Sequence, residues 1–246
     1  MRSSDYAPGT VARVVVILRY LFNLARRWNV LIGHENPAAG IPVPPDVHRN
    51  RFLTEDEMAR LVSALGTDEN QVAAKAILLL LLTGARRNEI THAKWDQIDF
   101  VRQTLLVPVS KTGKPRYVTL SAEALQVLNS VPRLSGNPNI FPSAVTGRPC
   151  ASLHFPWVRI RKRAGLRDVR LHDLRHSFAS ALINRGETLY NVQKLLGHEN
   201  SKSTQRYAHL APATLSQGAG KMGGLLRPIL QNSNLLAPPK TEDGSR

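Results

Sequence analysis

Cysteine is all but missing from this sequence: Cys150 stands alone among 246 residues. One thiol closes no disulfide within the chain and builds no cysteine-based metal cluster, so oxidising export is not indicated. Long apolar runs are missing too. Residues 14–18 are apolar but flanked by Arg13 and Arg19, and residues 76–82 lie well inside the chain. Neither run approaches the roughly 20 apolar residues of a membrane span, and neither reads as a signal peptide. Acidic residues are scarce: 18 Asp and Glu face 33 Lys and Arg, a formal net charge of +15. Such a chain is most simply a polyanion binder, with nucleic acid the first choice and an acidic membrane surface the second. The charge is spread along the sequence, not gathered in a tail, which points to a folded binding surface. There is no P-loop glycine-lysine motif, no carboxylate cluster of the two-metal kind, and no closed set of histidines at zinc-ligand spacing.

What is present is enough for a packed core. Hydrophobic residues make up 42% of a length that allows one large domain or two small ones. Residues 10–29 carry apolar side chains at helical spacing (Val14, Ile17, Leu18, Leu21, Phe22, Ala25), with Arg13, Arg19, Arg26 and Arg27 between them. Residues 36–50 hold four prolines and a glycine and read as a linker at a domain boundary. Thr54 and Glu57 form a capping box for a helix reaching about Leu65. Gln71 to Leu82 is apolar on most faces and reads as a buried helix. The segment Thr83-Gly84-Ala85-Arg86-Arg87-Asn88-Glu89-Ile90 stops that helix and starts another turn. It is either a helix-helix turn with solvated charges or a rigid mount for an arginine, with Glu89 placed to fix a neighbouring guanidinium.

The period then changes. Residues 95–100, 104–107 and 116–120 read as three short strands, and Lys111 and Lys114 sit in the hairpin loop between the last two. Helices are expected over 121–131 and 151–164, the second ending in a basic run (Arg159, Arg161, Lys162, Arg163, Arg167, Arg170) suited either to solvent or to phosphates. Leu171-His172-Asp173-Leu174-Arg175-His176-Ser177-Phe178 opens an amphipathic helix. His172 and Arg175, three apart, share a face, while Leu174, Phe178, Ala181 and Leu182 form an expected buried stripe that Gly186 terminates. A proton-handling group beside a fixed cation suits an anionic substrate whose chemistry moves protons. Leu189, Val192, Leu195 and Leu196 mark one more helix, stopped by Gly197, with His198 just beyond. Residues 201–209 read as a short helix carrying Tyr207, and after about Ala213 the chain turns Gly-, Pro- and Ser-rich apart from an apolar patch at 225–230. The last dozen or so residues read as disordered.

Taken together, Thr-Gly-Ala-Arg-Arg-Asn-Glu-Ile, Lys111 in its hairpin, His-Asp-Leu-Arg-His, Leu-Leu-Gly-His and Thr-Gln-Arg-Tyr-Ala-His resemble, in order and spacing, the tyrosine recombinase (phage integrase) family over roughly residues 10–210. The resemblance implies an α+β, mainly helical catalytic fold with a small three-stranded antiparallel sheet, preceded by a remnant of the family's helical core-binding domain. It divides the chain into that SAM-like remnant (1–35), a Pro-rich linker (36–50), a catalytic domain (51–215) and a C-terminal tail (216–246). Arg86 and Arg175 match the catalytic arginines, Lys111 the hairpin lysine, His172 the first histidine of its motif, His198 the histidine of the third motif and Tyr207 the nucleophile. Arg87, His176 and His209 lie beside these positions, and no catalytic role is transferred to them.

The implied activity is site-specific DNA cutting and rejoining through a 3′-phosphotyrosyl link, without cofactor, metal or ATP. The implied partner is double-stranded DNA, bound by a homotetramer on paired sites in the bacterial cytoplasm, with residues 225–230 docking on a neighbouring subunit. Accessory directionality factors fit this scheme but none is named by it. The family places a full helical domain where this sequence has about one long helix, so the sequence reads as truncated at its N-terminus. That departure keeps a second function open, a catalytically idle DNA-binding remnant, and a third, relaxation of supercoils by the same tyrosine. Ala85 stands where a larger apolar residue is usual.

Overall fold

The structure, a computed structural model, describes residues 6–31, 33, 35–43, 51–109, 113–143, 146–150, 152–198, 200, 202–208 and 227. The chain divides into two units, Met1–Asn50 and Arg51–Arg246.

In the first unit, Pro8–Arg27 forms α1. Pro8 suits the first helical turn, where its missing N–H costs nothing, and Arg26 and Arg27 complement the negative end of the helix. Asn29, at a positive φ of 57°, turns the chain away. Asn36 donates to the Arg19 carbonyl (2.9 Å) and to the Asn23 side chain (2.8 Å), and Arg19 Nε donates to the Ala38 carbonyl (3.0 Å), pinning the segment after α1 to the helix. Val15 is its one buried residue, while Val16, Ile17, Tyr20 and Leu21 are exposed. By length and mean hydropathy α1 is sufficient to cross a membrane, which corrects the expectation that no segment approaches a span. Interrupted runs hid it: Arg19 splits two apolar stretches that a helix-long average joins.

The second unit is built around a buried helix. α2 (Glu55–Gly66) starts at the capping box, with Thr54 Oγ1 accepting from Glu57 N and Glu57 Oε2 accepting from Thr54 N. α3 (Gln71–Thr83) is apolar on nearly every face because it lies among α2, α5 (Ala122–Asn129) and α7 (Asp173–Asn184). Its Leu79, Ile77 and Ala76 belong to a core shared with Leu61, Leu120, Phe141, Ile160 and Leu174. Each large side chain there contributes on the order of 1.5–3 kcal/mol by leaving water. α4 (Arg87–Thr91) follows Gly84, and α6 (His154–Arg163), α8 (Leu189–Leu196) and α9 (Lys202–Gln205) are the further helices of this unit among the described residues. β1 (Ile98–Asp99), β2 (Thr104–Val107) and β3 (Arg116–Thr119) form an antiparallel sheet in that order, with Leu105 opposite Val118 and both facing the core.

Three expectations need correction, and a fourth, the basic run, is met in part. The first strand is two residues long, because Trp95–Gln97 winds into a 3-10 turn with Gln97 capping the Lys94 N–H. The basic run is divided: Arg159 pairs with buried Asp68 at 2.7 Å and Arg161 donates to the Val169 carbonyl, while Lys162, Arg163, Arg167 and Arg170 are exposed, Arg163 also donating to the Thr67 carbonyl and Arg170 pairing with Asp173. α7 buries no narrow stripe. Asp173, Arg175, Ser177, Ala179, Ser180 and Ile183 are all buried alongside Leu174, since α3 covers one side of the helix and α8 another. Finally, α9 stops at Gln205, so Tyr207 sits in the turn after it. Lys111, His209 and, apart from Arg227, the apolar patch at 225–230 lie outside the described residues.

Candidate active site

Arg175 has its position fixed by two carbonyls. Its side chain leaves the first turn of α7, is 5% exposed, and donates from Nη1 to the Gly84 carbonyl (2.6 Å) and from Nη2 to the Leu196 carbonyl (2.8 Å). Gly84 ends α3 in the left-handed region at φ +61°, and a Cβ there would run into the Phe178 ring and Leu196. Only glycine permits the turn and the close packing together. Leu196 is the last residue of α8, whose terminal carbonyls lack helical partners and carry the negative end of the dipole. A guanidinium is the natural group to satisfy them.

Arg86 approaches the same helix end from the α3–α4 turn. Its Nη2 reaches the Gly197 carbonyl at 3.5 Å, and its Nη1 pairs with Glu89 Oε1 at 2.9 Å. Glu89 Oε2 also accepts the Arg86 backbone N–H at 2.7 Å, so the residue is held at both backbone and side chain. A third guanidinium completes the group. Arg116, on β3, makes a two-point pair with Glu89 (Nη2–Oε2 2.7 Å, Nε–Oε1 3.0 Å) and directs Nη1 at the Leu195 carbonyl. Burial alone would raise the Glu89 pKa, but Arg116 and then Arg86 bring it below its ordinary value. Two cations, Arg86 and Arg116, thus share one buried carboxylate, and Arg175 stands beside them with carbonyl partners alone. The surplus registers on Arg175, whose pKa is pushed down to about 10 by burial and by the charges of Arg86 and Arg116. An anion would relieve that repulsion.

The histidines stand around this cluster. His172 precedes α7, in a turn held by Arg170 and buried Asp173 through the Arg170 N–H (2.9 Å) and guanidinium (2.9 Å). It lines a cavity of about 300 Å³ together with Ala85, Arg87 and Arg175, and also a groove bounded by Arg86, Arg87, Asn88 and Val107. Desolvation, followed by the charge of Arg175, lowers its pKa. His198 follows Gly197, which stops α8 at φ +63°, and its Nδ1 is 2.8 Å from the hydroxyl of buried Thr204. Burial and then Arg175 and Arg86 push its pKa down to about 4.

Tyr207 packs in a second apolar cluster with Ala179, Ile183, Val192 and Leu196 and is itself 5% exposed. Burial raises its pKa, against the opposing pull of Arg206 and Arg175. Its hydroxyl lies 2.5 Å from His176 Nδ1. That partner is a residue to which the sequence reading gave no role. The signal was available: His176 comes four residues after His172 and so shares its helix face, and the two rings stack edge to face at 5.0 Å. Arg116 carried no comparable signal, because the carboxylate it meets is distant in sequence.

The structure therefore brings Arg86, Arg116 and Arg175 to the end of α8 with His198 next in the chain, His172 lining a cavity with Arg175, and Tyr207 packed with Leu196 and bonded to His176. Among the described residues, no group of three or more His, Cys, Asp or Glu side chains is arranged to hold a metal.

A family model described as Phage integrase family matches residues 51–214. A tyrosine recombinase of Thermosipho africanus is 34% identical over 226 residues, covering 82% of this chain and 74% of that protein. The integrase of Salmonella phage P22 is 29% identical over 254 residues, covering 97% of this chain but only 63% of the phage protein. Among solved structures, the Tn1549 transposon integrase in complex with circular intermediate DNA superposes with a TM-score of 0.68 at 20% identity, covering 84% of this chain and 76% of that one, a likeness of fold. The catalytic domain of bacteriophage HP1 integrase matches with a TM-score of 0.55 at 25% identity, covering 69% of this chain and 93% of that domain.

Proposed function

The chain belongs to the phage integrase family, and from that premise we propose that it is a site-specific DNA recombinase whose nucleophile is Tyr207. The observation that carries this reading is the convergence of Arg86 and Arg175, from separate elements, on consecutive carbonyls at the end of α8, with His198 next in the chain and Tyr207 packed against that helix. An arginine has five N–H donors in a planar fork, so each of these still has donors to offer a phosphate after its protein bonds are made.

A DNA phosphodiester resists attack because its non-bridging oxygens carry charge that grows in the transition state. Arg86 and Arg175, fixed in advance, bind those oxygens and stabilise that charge. The Tyr207 oxygen attacks phosphorus, the bond to the 5′-oxygen breaks, and the product is a 3′-phosphotyrosyl link with a free 5′-hydroxyl. The phenol proton passes to His172, which is open to the groove beside Arg86 and kept neutral by its surroundings. Lys111 supplies the proton to the leaving 5′-oxygen, and His198 hydrogen-bonds a phosphate oxygen. Because the link retains the energy of the broken bond, a 5′-hydroxyl from another strand can reverse the step, and neither ATP nor a metal is assigned a part. The reaction takes place wherever the chain meets chromosomal or mobile DNA, in tetramers on paired sites.

The test is a nicked suicide DNA substrate, which traps the covalent link. The native chain should form a protein–DNA adduct and Tyr207→Phe none, while Arg175→Gln should slow adduct formation by roughly 10²–10³. Salt-sensitive DNA binding without any adduct would reduce the protein to an idle binder.

A further inference from the structure

The hydroxyl of Tyr207 has one hydrogen-bond partner among the described residues, His176, and the other nitrogen of that imidazole faces a cation. His176 Nδ1 is 2.5 Å from the Tyr207 oxygen, and His176 Nε2 is 3.5 Å from Arg206 Nη1. A neutral imidazole has one N–H and one bare nitrogen, while a guanidinium can only donate. Facing Arg206, Nε2 must be the bare nitrogen. The hydrogen is then on Nδ1, pointing at the phenolic oxygen.

We propose that His176 is a positioning residue for the nucleophile, donating Nδ1–H to the Tyr207 oxygen, and that Arg206 selects the tautomer that does so. The proposal rests on the reading of Tyr207 as nucleophile and adds a role that the sequence withheld from His176. A donor cannot take the phenol proton, so His176 is not the base. It favours the oxygen as negative charge builds on it, and it holds that oxygen in one place while the proton leaves by another route.

The surroundings act in the same direction. Burial is the largest influence disfavouring a second proton on the His176 ring; His172, Arg206 and Arg170 add to it and Asp173 opposes it. The ring is therefore neutral at working pH, the condition under which the tautomer matters. Arg206 and Arg175 are the charges facing Tyr207, and both favour the phenolate. The Arg206 Nε is buried without a partner among the described residues, so the orientation of this guanidinium is set through its terminal nitrogens. Ring packing completes the arrangement: His176 meets His172 edge to face at 5.0 Å and the tilted ring of Tyr207 at 6.0 Å.

Nitrogen-15 NMR of the full chain, labelled at histidine, reads the tautomer directly and needs no DNA. At pH 7.5 the native protein should show His176 protonated at Nδ1 and bare at Nε2, and Arg206→Gln should shift the population toward Nε2–H. An Nε2–H tautomer in the native protein would overturn the proposal.

The second arm uses the suicide substrate. His176→Phe should slow adduct formation by roughly 10- to 100-fold, the equivalent of one hydrogen bond to a charged oxygen, and should move the alkaline limb of the pH–rate profile upward. His176→Asn, whose amide N–H can stand where Nδ1–H stood, should recover much of the loss. Equal losses in Phe and Asn variants with an unmoved pH profile would mean that His176 merely packs. If the native chain forms no adduct at all, the nucleophile reading falls instead, whatever the tautomer.

Discussion

His176 and His198 both have pKa values pushed down to about 4, by burial first and then by neighbouring positive charge. In the unfolded chain each returns to about 6.5. Between these values the unfolded state takes up protons that the folded state refuses, so stability is complete above about pH 6.5 and is lost as pH falls toward 4. The melting temperature should therefore drop between pH 7.5 and pH 5, before the paired carboxylates of Glu57 and Asp68, whose pKa values lie below the ordinary range, begin to be neutralised. Replacing His198 with Gln should flatten that dependence in a thermal-melt series, and an unchanged slope would contradict the account. At this scale the sequence was informative where chemistry and spacing coincide: Arg86, His172, Arg175, His198 and Tyr207 announce themselves by type and motif. It was silent where a role depends on a distant partner. Arg116 reads as an ordinary strand residue until the fold brings Glu89 to it; for His176 the spacing to His172 marks the shared helix face, but its partner Tyr207 comes from beyond α9.

The carboxyl end of α8 is the element on which the site is assembled. Its carbonyls at Leu195, Leu196 and Gly197 accept from Arg116, Arg175 and Arg86, and Glu89 compensates part of that charge. Removing the carboxylate leaves Arg86 and Arg116 without their shared counter-ion, close to the buried charge of Arg175. Glu89→Gln should cost on the order of 3–5 kcal/mol, as for a broken buried pair, measured by denaturant unfolding, and added DNA should restore part of the loss. Unaltered stability would mean that the arginines are compensated elsewhere. Long periodic helices were legible because caps and apolar spacing mark them, as Thr54 and Glu57 do for α2 and Gly84 and Gly197 do for the ends of α3 and α8. The first strand and the α6 arginines were not. Trp95–Gln97 looks extended by composition but is wound by a Gln97 cap, and Arg159 looks free until Asp68 is folded against it.

Over the whole molecule, internal ion pairs cancel charge one for one and leave the formal net charge of +15 in place. DNA affinity should fall steeply with salt, with a log–log slope of roughly −0.9 for each phosphate contacted. A flat response in a binding titration would remove the basic surface from the DNA interface. The family assignment rests on residues 51–214 and does not depend on α1, whose exposed apolar face belongs to the other unit. The central claim is that Tyr207 becomes the DNA-linked residue at a phosphate held by Arg86 and Arg175. Its most direct measurement is mass-spectrometric mapping of the adduct formed on a nicked suicide substrate. A 3′-phosphonucleotide attached to Tyr207, absent in Tyr207→Phe, is the expected result; attachment at any other residue, or an undiminished adduct in Tyr207→Phe, would contradict it.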